Sequence, residues 1–209
     1  MKYYKQFDIT NKFRKNFNNK LPFIIESLQP KNKTIDVYGD SFVELCELYS
    51  LSSRFDQDNV KYSWLWYLSQ ILGADIRCYG VSGSSEQLIY DIYKRTKENE
   101  RDFIIIFHTT LTRVDHVSRY KYKRLTKKDY VEWDNQINCS CLHLYWTDKL
   151  YNFNNGISLR TRLYEKYSSD TCELTGMTAN HMDINGNFIF AMKIVNIFKN
   201  KFKWEAWIE

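Results

Sequence analysis

A chain of 209 residues, 44% of them hydrophobic, can bury one substantial core, which sets the expectation of a single domain over residues 1–209 with a single site. Its formal charge of +5 comes from 30 Lys and Arg scattered among 25 Asp and Glu, not from a basic block, and this weighs against a nucleic-acid surface. Five cysteines, Cys46, Cys78, Cys139, Cys141 and Cys172, are an odd number and are expected as free thiols.

Residues 1–33 read as a polar lead-in, interrupted by short apolar runs such as Leu21 to Ile25. Neither a secretory apolar region nor a membrane-spanning stretch is visible there, so a soluble, cytoplasmic protein is expected. The first strand is predicted over Thr34 to Tyr38, ending in Gly39, Asp40 and Ser41. Trp64, Tyr67, Leu68, Ile71 and Leu72 then recur at helical spacing, and Gly73 stops them. A second strand, Ala74 to Cys78, ends just before Gly80. Ser84 and Gln87 have the spacing of a capping box, and Leu88, Ile89, Ile92 and Tyr93 form the apolar stripe of another helix before Lys94, Arg95 and Lys97. A third strand, Phe103 to Phe107, precedes His108 and Thr109.

Residues 115–177 have no clean period; rich in charges and aromatics such as Tyr120, Tyr122, Tyr130, Trp133, Tyr145, Trp146 and Tyr151, they read as an insertion or lid. A lid could stack a sugar, but ordinary packing explains the aromatics equally well. The last helix carries Phe190, Ala191, Ile194, Ile197 and Phe198 on one face. Short apolar strands alternating with amphipathic helices predict a parallel sheet covered on both faces, with the ligand site beyond the strand C-termini.

A hydroxyl is a weak nucleophile, so it needs an exposed strand-to-helix turn where a base can reach it and N–H groups can hold an oxyanion. Ser41 occupies such a position, although Gly39-Asp40-Ser41 alone is equally an ordinary turn leading into an N-cap. The run Tyr79-Gly80-Val81-Ser82-Gly83-Ser84-Ser85 lacks the lysine of a phosphate-binding loop. Ser82 is a weak rival nucleophile, because Gly83 follows it directly and breaks the Gly-x-Ser-x-Gly pattern. Cys139, Cys141 and His143 form a Cys-x-Cys-x-His cluster, which lacks the paired spacing of a zinc site and needs a distant fourth ligand. No metal and no organic cofactor are expected.

Four segments in order resemble the blocks of the SGNH (GDSL-type) hydrolase family. Ile35-Asp36-Val37-Tyr38-Gly39-Asp40-Ser41 resembles the first, which implies Ser41 as nucleophile and as one backbone donor to the oxyanion. Tyr79-Gly80 resembles the second and gives Gly80 the role of a further donor. The third block usually reads Gly-x-Asn-Asp; Phe107 and Thr109 stand at the Gly and Asn positions, so Thr109 becomes the third donor through its hydroxyl. Arg113, downstream, then suits an anionic or polar substrate group. His181-Met182-Asp183-Ile184-Asn185-Gly186-Asn187 resembles the final block and implies His181 as general base.

The aspartate that the family places three residues before this histidine is replaced by Thr178. Thr178, a backbone carbonyl, Asp170 or Glu173 are the alternatives for orienting the imidazole, with Asp40 a further polar group beside the nucleophile and a Ser-His dyad a further arrangement. The resemblance implies a three-layer α/β/α sandwich of the flavodoxin-like kind, with about four or five parallel strands. It implies a serine esterase acting on a small ester such as an acetylated carbohydrate, without membrane or nucleic-acid partners. A catalytically impaired binding module with the same fold is the alternative. A basic, aromatic-rich nucleic-acid or partner-binding protein, suggested by Lys121 to Lys128, stands third.

Overall fold

The computed structural model describes residues 4–5, 23–40, 43, 61, 63–81, 84–109, 124–145, 151–160 and 184–204. Seven strands are found there: β1 (Tyr4–Lys5), β2 (Phe23–Ile25), β3 (Lys33–Gly39), β4 (Ala74–Gly80), β5 (Phe103–His108), β6 (Ser140–Tyr145) and β7 (Ile157–Arg160). They form one sheet in the order β1-β2-β4-β3-β5-β6-β7. The five strands from β4 to β7 pair in parallel, while β2 runs antiparallel to β4 and β1 antiparallel to β2.

Four helices complete the described residues: α1 (Trp64–Leu72), α2 (Glu86–Thr96), α3 (Lys127–Gln136) and α4 (Ile184–Lys201). Every residue of β5 is buried, because alternate side chains enter different cores. Phe103, Ile105 and Phe107 pack with Leu68 and Ile71 of α1 and with Phe190, Ile194 and Phe198 of α4. Ile104 and Ile106 face the opposite way, against Ile89, Tyr90 and Tyr93 of α2 and Tyr130 and Trp133 of α3. This is the expected three-layer α/β/α sandwich. The parallel strands follow the flavodoxin-like order, in which the chain leaves β3 to one side for β4 and crosses back to the other for β5. The crevice for a ligand therefore opens where β3 and β5 end.

Local chemistry explains most element limits. Ser63 caps α1, its Oγ accepting from Trp66 N at 3.0 Å. Gly73 ends that helix at φ 66°, a left-handed conformation that glycine adopts without strain, and its N–H donates to the Ser69 carbonyl. The cap of α2 differs from the sequence expectation. Ser85, not Ser84, accepts from Leu88 N, at 3.3 Å, because Ser84 Oγ is occupied in donating to the Gly39 carbonyl at 3.2 Å. That one-residue shift makes Glu86 the first residue of the helix.

The stretch 115–177 supplies α3, β6 and β7 to the sandwich itself. In β6 the five residues after Ser140 are buried, with Cys141 and Tyr145 in one core and Leu142 and Leu144 in the other, so no hydrophobic alternation marked it. Residues Phe23–Ile25, read only as an apolar interruption of the lead-in, are β2. Among the described residues no helix is long and apolar enough to cross a membrane.

Candidate functional site

The C-terminal ends of β4, β3 and β5 bring three of the predicted positions to one edge. Gly39 and Gly80 lie in register, and Tyr38 pairs with Ile106, so Asp40 and Thr109 leave neighbouring strands at about the same level. Gly39 carries no side chain for a packing reason: a Cβ there would run into Val43 Cγ2 and lie 2.8 Å from Phe107 Cβ. Its carbonyl accepts from Val81 N at 3.0 Å as well as from Ser84 Oγ, which ties the Gly80 loop to the turn entered by Asp40. Across that turn Val43 N donates to the Asp40 carbonyl at 3.0 Å, and Cys78 Sγ donates to the Val43 carbonyl at 2.7 Å. Asp40 and Thr109 are both buried.

Beside Thr109 lies a buried polar chain that the sequence reading did not single out. Glu86 Oε1 accepts from Thr109 N at 2.6 Å, and Glu86 Oε2 lies 3.0 Å from His108 Nδ1. His108 Nε2 is 3.0 Å from His143 Nδ1, and His143 Nε2 is 3.1 Å from the Asn155 carbonyl. Asn155 offers only a carbonyl oxygen to that ring, so His143 Nε2 is the donor there. One proton then lies between His108 Nε2 and His143 Nδ1, and one between His108 Nδ1 and Glu86 Oε2. Asp134 anchors the far end, accepting from Asn154 N at 2.7 Å and Asn155 N at 3.0 Å.

Aromatic rings close round this chain. Tyr145 stacks on His108 with centroids 4.5 Å apart, and Phe153 stacks on His143 at 4.0 Å. Burial first, and the Glu86 carboxylate second, push the phenols of Tyr130 and Tyr145 well above the ordinary tyrosine range. Tyr130, Trp133 and Tyr145 are thus core residues; Tyr120, Tyr122 and Trp146 lie outside the described residues.

The Cys-x-Cys-x-His run also resolves into packing. Cys141 and His143 point to one side of β6, but both nitrogens of His143 are engaged, and burial pushes the Cys141 and Cys139 thiols up. Cys78, Cys139 and Cys141 are free thiols, and no group of three metal-ligating side chains gathers among the described residues.

Ser41, Ser82, Arg113, Asp170, Glu173, Thr178 and His181 lie outside the described residues. The segments that flank two of them are fixed. Asp40 immediately precedes Ser41, and α4 begins three residues after His181. Asn187 Oδ1 in the first turn of α4 accepts from Trp64 N at 3.0 Å, the first N–H of α1. Phe190 lies 5.0 Å from Trp64 and 6.0 Å from Phe107 between ring centroids, which pins the start of α4 beside the end of β5.

The chain has the SGNH (GDSL-type) hydrolase fold. It is similar to a carbohydrate esterase family 2 enzyme with a carbohydrate-binding domain from Corynascus thermopiles (Myceliophthora fergusii), with a TM-score of 0.52 and 11% identity over 87% of this chain and 70% of that one. A carbohydrate acetylesterase from Sinorhizobium meliloti matches with a TM-score of 0.47 and 14% identity, covering 79% of this chain and 100% of that one. A putative lipolytic protein of the G-D-S-L family from Desulfitobacterium hafniense matches with a TM-score of 0.45 and 13% identity, covering 79% and 99%. No family model and no curated protein matches the sequence.

Proposed function

We propose that the protein is a serine esterase of the SGNH type, with Ser41 as nucleophile and His181 as general base. The observation that carries this reading is the convergence of Gly39–Asp40, Gly80 and Thr109 at the switch point of a flavodoxin-like sheet. Ser41 follows Asp40 directly, and His181 is within roughly 10 Å of extended chain from the pinned start of α4. That connectivity supports bringing both to one edge.

In the reaction, Ser41 Oγ bonds to the ester carbonyl carbon while its proton passes to His181. The N–H groups of Ser41 and Gly80 and the Thr109 hydroxyl receive the oxyanion. The tetrahedral intermediate expels the alcohol, which takes the proton from His181, and water then releases the acid from Ser41 by the same steps. The Thr109 backbone N–H already serves Glu86, so the hydroxyl is that residue's donor. Arg113 suits a polar substituent of the substrate, and Asp40, Thr178, Asp170 or Glu173 the orientation of the imidazole. Acetylated carbohydrate is the first substrate class to test, since the fold neighbour of highest TM-score given above is described as a carbohydrate esterase.

A fluorophosphonate adduct on Ser41 of the folded protein is expected by mass spectrometry, together with turnover of 4-nitrophenyl acetate that falls at least about 100-fold in Ser41→Ala and His181→Ala. An unlabelled Ser41 counts against the reading. The second reading, a binding module, is favoured by Thr178 standing where the family has its aspartate. Turnover abolished by Ser41→Ala rejects it.

A further inference from the structure

Glu86 is only 5% exposed, and burying a carboxylate is costly unless its bonds are needed. An apolar side chain of similar size would fill the space between α2 and the end of β5 at less cost. What the carboxylate achieves instead is specific: one oxygen takes the N–H just past β5, and the other takes the last ring of that strand. The ring is held in turn by His143, whose far nitrogen ends on a carbonyl that Asp134 fixes.

The carboxylate is also rigidly mounted. Ser85 caps α2 and so fixes the first helical residue, while the loop before it is bonded twice to the Gly39 carbonyl. A single hydrogen-bonded circuit thus runs from the turn before Ser41, through the Gly80 loop and Glu86, to Thr109.

We propose that Glu86 is the positioning residue for Thr109: its carboxylate, braced by His108 and His143, holds the Thr109 backbone so that the hydroxyl meets the oxyanion formed at Ser41. The inference rests on the esterase reading for its chemistry, but the hold on Thr109 can be measured without it. Reach, not charge, is the property that matters. A glutamine keeps the length and, with the His108 proton on Nε2, both bonds, its carbonyl accepting from Thr109 N and its amide donating to His108 Nδ1. An aspartate keeps the charge but draws the carboxylate back by roughly 1.5 Å.

The test compares Glu86→Gln with Glu86→Asp in the full chain, using 4-nitrophenyl acetate and the Thr109 amide in proton–nitrogen NMR. Glu86→Asp is expected to lower kcat about 10-fold or more with KM within about 2-fold, while Glu86→Gln lowers kcat less than about 3-fold. The Thr109 amide proton should be downfield and slow to exchange in the parent and Glu86→Gln, and upfield and faster in Glu86→Asp. An aspartate variant as active as the glutamine variant, or a Thr109 amide unchanged by it, overturns the proposal. Should the parent neither hydrolyse esters nor label at Ser41, the esterase reading fails, and the amide alone decides whether Glu86 holds Thr109.

Discussion

Gly39 sits where β3, the Val43 turn and β5 approach most closely, and the consequence of a single added methyl can be worked out. The new Cβ overlaps Val43 Cγ2 and approaches Phe107 Cβ at 2.8 Å and Phe107 O at 3.2 Å. Val43 belongs to a turn bonded at both sides, and the other contacts include backbone, so nothing nearby yields easily. Gly39→Ala is expected to cost about 1–3 kcal/mol in urea unfolding, with ester turnover falling as the turn before Ser41 is pushed away. Residues of this kind were legible because a glycine at a strand end is a local signal. Glu86, His108 and His143 were not, since their meaning lies in contacts 22 and 35 positions apart along the chain, which no local spacing encodes.

At the level of elements, Asn187 ties the start of α4 to the start of α1. Trp64 N is among the first N–H groups of α1, left without an intrahelical partner, and Asn187 Oδ1 satisfies it inside the core where water does not compete. Asn187→Ala leaves that donor buried and unpaired, at an expected cost of about 1–3 kcal/mol. A loss of turnover beyond that explained by the unfolded fraction is also expected, because α4 follows His181 by three residues; urea unfolding and kcat measured on the same sample separate the two. The strands β3, β4 and β5 and the helices α1, α2 and α4 were readable because each combined an apolar run or stripe with a stop signal such as Gly73. In contrast, α3 buries only Tyr130, Trp133 and Asp134, and β6 is buried on both faces, so neither carries the period that betrays an element. The loop that ends at Gly156 has φ 114°, a further glycine signal that sequence reading passed over.

At the scale of the whole molecule, the described residues form two cores on one sheet, and the central strands belong to both. Ile194 of α4 and Ile89 of α2 lie in different cores, on opposite faces of the sheet. If the sheet makes the two cores a single cooperative unit, each loss of a methyl should lower the same unfolding transition. Ile194→Val and Ile89→Val are each expected to reduce stability by about 0.5–1.5 kcal/mol, with the urea dependence unchanged. The double variant should lose the sum to within about 0.5 kcal/mol, because the sites are distant and independent. A split transition in either variant would instead mean that one helical layer can leave the sheet alone. That outcome bears on the site, since Gly39 and Thr109 are held from opposite layers: the Val43 turn packs with α1 and α4, whereas Glu86 belongs to α2. Only a sheet that unfolds as one keeps the Val43 turn and Thr109 at a fixed separation.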